Sequence, residues 1–302
     1  MMSLDPQVLE IYKNKPAPPT SFNIADMRRN ADLTFNDDEE VISIYKFEDR
    51  MISSCLPIRI YYPNEKSNLP VMLYFHGGGF VMHNIQSHDS LCRKLSIECD
   101  CIVVSVGYRL APENKYPACI DDGYIALNWV YENAKSFGWD KNKIILSGDS
   151  AGATICASLS LKSLYESGPS IYALVLFYGM FGAADFDSDS MKKYGNGEYV
   201  LPKNMAEWCT AQYVPENADP NDPFLNPGKA KNYNGFPKSL IISGEYDPLR
   251  DDSKKFYELL KNSGNETDLV CIEGVMHGFM LYWNRLDKAK DLIKYINNWL
   301  SK

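Results

Sequence analysis

The sequence predicts an α/β protein, a mostly parallel sheet covered by helices on both faces. Three observations lead there. Short apolar runs alternate with stretches of helical periodicity along most of the chain. Several of those runs are unbroken Val, Ile, Leu, Phe and Tyr, the pattern of strands buried on both faces. The composition, 45% apolar and 23% charged over 302 residues, is that of a globular protein with a sizeable core. Disordered, collagen-like and coiled-coil readings fall on the same numbers.

Strands are expected at 41–45, 58–62, 71–75, 102–106, 144–146, 173–178, 240–242 and 269–272. Helices are expected between them. Ser87 can cap one running to Cys99, and 118–134 carries apolar residues at helical spacing. A third, 150–165, follows a strand with no linker. The last two are 252–262 and 286–300, the second with Leu286, Ala289, Leu292, Ile293, Ile296, Trp299 and Leu300 on one stripe. Two segments break the alternation: residues 1–40, and the long connection 181–227 with its acidic run 185–189, a short helix near 204–213 and Pro215, Pro220, Pro223 and Pro227. A connection of that length in a compact domain is usually functional. The two are read as one cap, integrated with a catalytic domain made of 41–180 and 228–302.

Charge and targeting narrow the function classes. Lys plus Arg is 31 against 39 Asp plus Glu, a net charge of −8 with no cationic block, so a phosphate backbone is not an expected partner. The longest apolar stretch, 171–184, has 14 residues and two glycines, whereas a membrane-spanning helix needs roughly 20. The N-terminal residues lack a basic region followed by an apolar core, so no secretory signal is read there. Most of the eight cysteines sit in apolar runs and are expected to be reduced thiols in a cytoplasm.

Four histidines bound the chemistry. Gly148-Asp149-Ser150-Ala151-Gly152 follows the strand at 143–147 and opens a helix. That is the strand–turn–helix setting of a nucleophile elbow, in which glycines permit a turn tight enough to expose a serine Oγ. An ordinary capping serine is the plainer alternative. His76-Gly77-Gly78-Gly79-Phe80 follows another strand, and its glycines let backbone N–H groups approach a carbonyl. A phosphate loop would end in Lys-Ser/Thr, which is absent. A serine nucleophile needs a general base, and in the order Ser, acid, His only His277 lies beyond Ser150. The acid should follow the strand at 240–244, where Glu245, Asp247, Asp251 and Asp252 stand. Pro248 keeps Asp247 out of helix, so Asp247 is assigned; Asp251 and Asp252 are expected to cap the next helix. His88, Cys92, Cys99 and Cys101 match no zinc spacing.

Further segments sit at family-like spacing: Tyr108-Arg109-Leu110-Ala111-Pro112-Glu113, Tyr116-Pro117-Ala118, Asp121-Asp122, Asp222-Pro223-Phe224-Leu225-Asn226-Pro227, Asp247-Pro248-Leu249-Arg250-Asp251 and His277-Gly278-Phe279. Together with the elbow and the glycine loop, these resemble the hormone-sensitive-lipase-like family of α/β-hydrolases, the bacterial esterases of acetyl-esterase type. The resemblance implies an α/β-hydrolase fold, an eight-stranded sheet under a helical cap. It implies Ser150 as nucleophile, Asp247 as orienting acid, His277 as base, and an oxyanion hole from the N–H groups of Gly77, Gly78 and Ala151. His76 and the Arg109 segment would support the loop. No metal or organic cofactor is implied, and the partner is a small-molecule ester, with homo-oligomerisation left open. The family's sixth elbow glycine is Ala153 here, and the D-P-L-x-D-E pattern ends Asp251-Asp252, which shortens one acidic side chain. An amidase of arylformamidase type would use the same machinery. A small-molecule receptor on this scaffold, as among plant hormone receptors, would be expected to have lost part of the triad.

Overall fold

The computed structural model describes residues 4–13, 22–36 (backbone only from 32), 42–182 and 186–302. Its centre is an eight-stranded sheet in the order β1-β2-β4-β3-β5-β6-β7-β8. The strands are β1 Lys46–Met51, β2 Pro57–Tyr62, β3 Leu69–Phe75, β4 Ile102–Val106, β5 Trp139–Asp149, β6 Ala173–Phe177, β7 Lys238–Tyr246 and β8 Thr267–Met276. β2 runs antiparallel to both β1 and β4, and every pairing from β4 to β8 is parallel.

Parallel strands need crossovers, and helices supply them on both faces. α4 (Ala118–Phe137), α5 (Ala151–Tyr165) and α8 (Arg250–Asn262) pack with Val71, Leu73 and Phe75 of β3 in one apolar cluster. α3 (Asp89–Glu98) and α9 (Asp287–Leu300) pack with Met72 and Tyr74 in the other. Alternate residues of one strand thus enter opposite cores, which is why β3 reads as an unbroken apolar run. Most of α5 is buried, as its place in the middle of the layer requires.

Two expectations fail. The first strand is Lys46–Met51, not 41–45; Ile42 and Ile44 pack against a core cluster without forming a strand, and Val41 lies outside the described residues. β1 is an edge strand with five of its six residues exposed, so it carries no apolar signature. Ser87 does not cap α3. It sits in the 3₁₀ turn Gln86–His88, its N–H accepted by Asn84 Oδ1 at 3.0 Å and its Oγ donating to the Asn84 carbonyl at 2.8 Å.

Outside the alternation lie α1 (Pro6–Tyr12), α2 (Ile24–Asn36), α6 (Asp189–Tyr194) and α7 (Lys203–Tyr213). α1 is capped by Asp5 and seats Val8 in the cluster that holds α9, with the Asp5 N–H donated to the Gly274 carbonyl of β8 at 2.9 Å. Further along, Phe22 packs on Trp208 of α7 with ring centroids 5.4 Å apart. Arg28 of α2 donates to the carbonyls of Val81 and Ala111 and pairs with Glu113. The Pro-rich run 15–19 and Asp185 lie outside the described residues.

Candidate active site

Five parallel strands end in line, and the first residue beyond each is chemically distinctive: His76 after β3, Ser150 after β5, Tyr178 after β6, Asp247 after β7 and His277 after β8. Side chains meet at the carboxyl ends of parallel strands because the chain turns there into loops and helices. Three of the five form a hydrogen-bonded line. His277 Nε2 lies 3.0 Å from Ser150 Oγ, and His277 Nδ1 lies 2.9 Å from Asp247 Oδ2 and 3.1 Å from Oδ1. Asp247 is fully buried and also accepts the Leu249 N–H at 2.8 Å, a contact that fixes the roll of its carboxylate. Tyr178 sets its ring edge-on to the imidazole, centroids 4.9 Å apart.

Ser150 has φ 52° and ψ −119°, a strained backbone held by its N–H donated to the Phe177 carbonyl at 2.8 Å. The turn closes only because nothing projects from its glycines. A Cβ on Gly148 would stand 2.6 Å from the Phe75 oxygen, and one on Gly152 would overlap that oxygen. Ala153 in the sixth position is buried against Gly179 without conflict of its own.

A cavity of about 150 Å³ opens over Ser150. Gly78, Gly79 and Ala151 line it on the side of the glycine loop. Met180, Val200, Leu201, Met205, Ala206, Cys209, Leu249 and Leu281 supply apolar walls. Tyr178 and Met205 also line it, while Phe22 packs on Trp208 and Tyr213 on Phe80.

Gly77 requires a correction. Its N–H is donated to Asp149 Oδ1 at 2.9 Å, and it does not line the cavity. A Cβ on Gly77 would strike the same carboxylate. The N–H groups of Gly78 and Gly79 have no acceptor among the described residues, and that of Ala151 belongs to the unbonded first turn of α5. The open donors are therefore Gly78, Gly79 and Ala151. The motif does not reveal this by itself; which glycine faces the cavity depends on Asp149, whose partner cannot be read from spacing.

The supports expected for the loop are present. His76 Nδ1 lies 2.8 Å from the Gly77 carbonyl, Tyr108 donates to the His76 carbonyl at 2.7 Å, and the two rings stack at 4.3 Å. From the Arg109 segment, Ala111 also reaches the loop, its N–H donated to the Phe80 carbonyl at 2.9 Å, whereas Arg109 itself makes a forked contact with the buried Asp122 and none with the loop. On the other side of the loop Phe80 stacks on Tyr213 of α7, centroids 3.8 Å apart and 7° from parallel, and Cys209 closes on Gly79 so that a Cβ there would lie 2.6 Å from Sγ.

Asp251 and Asp252 stand in the first turn of α8 behind Leu249, the capping position. Neither caps by its side chain. Asp251 Oδ2 accepts the Ser190 N–H of α6 at 2.8 Å, and Asp252 accepts the N–H of Phe181, so both fasten the long connection to α8. Among the described residues no set of three or more His, Cys, Asp or Glu could hold a metal ion, and burial pushes the Cys92 and Cys101 thiols well up. No described helix is long and apolar enough to cross a membrane.

Comparison with known proteins bears on the same residues. A family profile for the alpha/beta hydrolase fold matches residues 72–281. The carboxylic ester hydrolase LipN of Mycobacterium tuberculosis is 35% identical over 233 residues, 74% of this chain and 61% of that protein, so the match spans about three-fifths of the relative's length. A gibberellin receptor of Arabidopsis thaliana is 38% identical over 234 residues, covering 74% of this chain and 66% of the receptor. Among solved structures, an esterase of Pyrobaculum calidifontis superposes with a TM-score of 0.90 at 29% identity, over 98% of both chains.

Proposed function

The chain belongs to the hormone-sensitive-lipase-like family of α/β-hydrolases, which includes carboxylesterases, and from that premise we propose that it hydrolyses short-chain acyl esters through Ser150, His277 and Asp247. The observation that carries this reading is the unbroken hydrogen-bonded line from Asp247 through His277 to Ser150. A scaffold used only to bind a small molecule has no need of that line.

The steps follow from the geometry. Ser150 Oγ attacks the ester carbonyl while His277 Nε2, 3.0 Å away, takes its proton. Asp247 holds the ring with Nδ1 protonated and stabilises the imidazolium that forms. The carbonyl oxygen becomes an anion beside the N–H groups of Gly78, Gly79 and Ala151, which replace Gly77, Gly78 and Ala151 as the oxyanion hole. His277 returns the proton to the leaving alcohol, and water attacks the acyl-Ser150 by the same route.

The size of the cavity supports the acyl preference. About 150 Å³ is the order of space that a benzene-sized guest fills. Acyl groups of two to about six carbons fit such a volume, each buried methylene contributing about 0.8 kcal/mol. Unpaired cysteines throughout fit a reducing cytoplasm. A fluorophosphonate probe tests the nucleophile: it should label the wild-type protein at Ser150 and leave a folded Ser150→Ala variant unlabelled. Labelling that persists in that variant would overturn the assignment.

A further inference from the structure

Of the four histidines, only His277 enters the mechanism; the other three cluster ring to ring beside the glycine loop, with His83 also bordering the cavity. His88 is 1% exposed. Its Nε2 stands 3.1 Å from Asp149 Oδ1, close enough for an ion pair though off the line of a straight hydrogen bond. Its Nδ1 stands 3.0 Å from Ser87 Oγ.

Counting protons decides the state of the ring. Ser87 has one hydroxyl proton, and its Oγ donates it to the Asn84 carbonyl at 2.8 Å, because a carbonyl can only accept. The 3.0 Å contact with His88 Nδ1 must therefore be made by a proton on Nδ1. On the other side Asp149 Oδ1 already accepts from Tyr74 Oη at 2.8 Å and from the Gly77 N–H at 2.9 Å, as an ionised carboxylate does. Burial alone would raise the Asp149 carboxyl, but the charge of His88 and hydrogen bonds from His88 and Tyr74 outweigh it and hold the group at about 2. A bare Nε2 lone pair held 3.1 Å from an ionised oxygen in a buried site would be repelled, so Nε2 carries a proton as well. His76 cannot take the positive role, because burial and the charge of His88 push it down to about 3.

We propose that His88 is protonated on both ring nitrogens and forms with Asp149 a buried ion pair that positions the oxyanion loop for the reaction at Ser150. Asp149 precedes the nucleophile directly, and its Oδ1 grips the peptide N–H that precedes the two open donors Gly78 and Gly79. The pairing also answers an electrostatic problem. An unbalanced carboxylate at this place would oppose negative charge developing on the substrate oxygen, and His88 cancels it. His88 is set back from the cavity, and Asp149, which borders it, is assigned its part through its grip on the Gly77 N–H, so both are positioning residues. The inference rests on the Ser150 mechanism above.

Ring nitrogen-15 NMR of the wild-type protein near pH 7 reads the state directly, since four histidines give a short spectrum. Both His88 nitrogens should resonate as protonated. A single unprotonated nitrogen on His88 overturns the ion pair, and this readout does not depend on any variant folding. Asp149→Asn keeps an acceptor for Tyr74 and Gly77 but removes the charge. It should release one proton from His88 and lower kcat/KM about tenfold at unchanged KM, since charge-assisted hydrogen bonds are about twice as strong as neutral ones. A trifluoromethyl ketone, which forms a hemiketal oxyanion on Ser150, should lose affinity by the same factor. Asp149→Asn with wild-type kcat/KM, or with ketone affinity intact, overturns the positioning role. Failure of the ketone to inhibit the wild-type protein would instead strike the Ser150 reading, so the two are separable.

Discussion

Replacing Asp247 by asparagine makes the sharpest test of the relay, because its neighbours dictate how the new amide sits. Asp247 Oδ1 accepts the Leu249 N–H at 2.8 Å, and Oδ2 faces His277 Nδ1 at 2.9 Å. The amide oxygen must take the Leu249 side, since an NH₂ there would oppose an N–H donor. The NH₂ group then points at Nδ1, which can be satisfied only by becoming an acceptor. The ring proton moves to Nε2, where it faces Ser150 Oγ, and the base can no longer accept the serine proton. Loss of the right tautomer and of support for the imidazolium together should cost about 10⁴ in kcat, or about 5 kcal/mol of transition-state stabilisation. The fold should survive, as the substitution is isosteric. The assay is kcat for p-nitrophenyl butyrate, normalised to folded protein by circular dichroism and thermal melting. Asp251→Asn is the control. It touches the Ser190 N–H rather than the ring, so kcat should fall less than about threefold, and the lost charge-assisted contact should cost about 1 kcal/mol of stability. An Asp247→Asn enzyme within tenfold of wild type, or an Asp251→Asn enzyme more damaged than it, would refute the relay.

Three other outcomes are expected. Ser150→Ala and His277→Ala should each remove nearly all kcat, and the double variant should be no worse than either, because the pair works as a unit; additive losses would argue against that. Across p-nitrophenyl esters kcat/KM should peak between acetyl and about hexanoyl and then fall by about 1–3 kcal/mol per misfit methylene, with no jump at a lipid interface; a rise continuing to palmitoyl would contradict a pocket of limited volume. In urea denaturation Gly152→Ala should destabilise by about 3 kcal/mol or more, since its Cβ collides with the Phe75 backbone, whereas Ala153→Gly should cost only about 1 kcal/mol; equal effects would mean the turn is looser than it looks.

Much of the sheet is legible in the sequence because the central strands β3 to β7 lie between two cores, and burial on both faces leaves apolar runs. β1 is not legible, since a strand with one neighbour and no buried face has nothing to write into composition. The short helices α1 and α6 carry cap signals, Asp5 before Pro6 and Ser188 before Asp189, that only weak apolar patterns accompany. Ser150, Asp247 and His277 could be named from order and from a shortage of histidines. The identity of the open N–H donors could not. It depends on which glycine Asp149 holds, a contact across 72 positions of sequence. His88 and Ser87 hid for the same reason, as hydrogen-bond direction is a property of three-dimensional neighbours.

The stack of Phe80 on Tyr213, with Cys209 close against Gly79, packs α7 directly on the glycine loop. On the proposed mechanism, an acyl chain too bulky for the cavity would press on α7, and the ring stack would pass that displacement to the peptide N–H groups meant for the forming oxyanion. A poor fit is thereby registered at the bond being broken rather than at the door. Discrimination should appear as slow turnover of substrates that still bind, so that unsuitable esters act as inhibitors of good ones at concentrations near their KM.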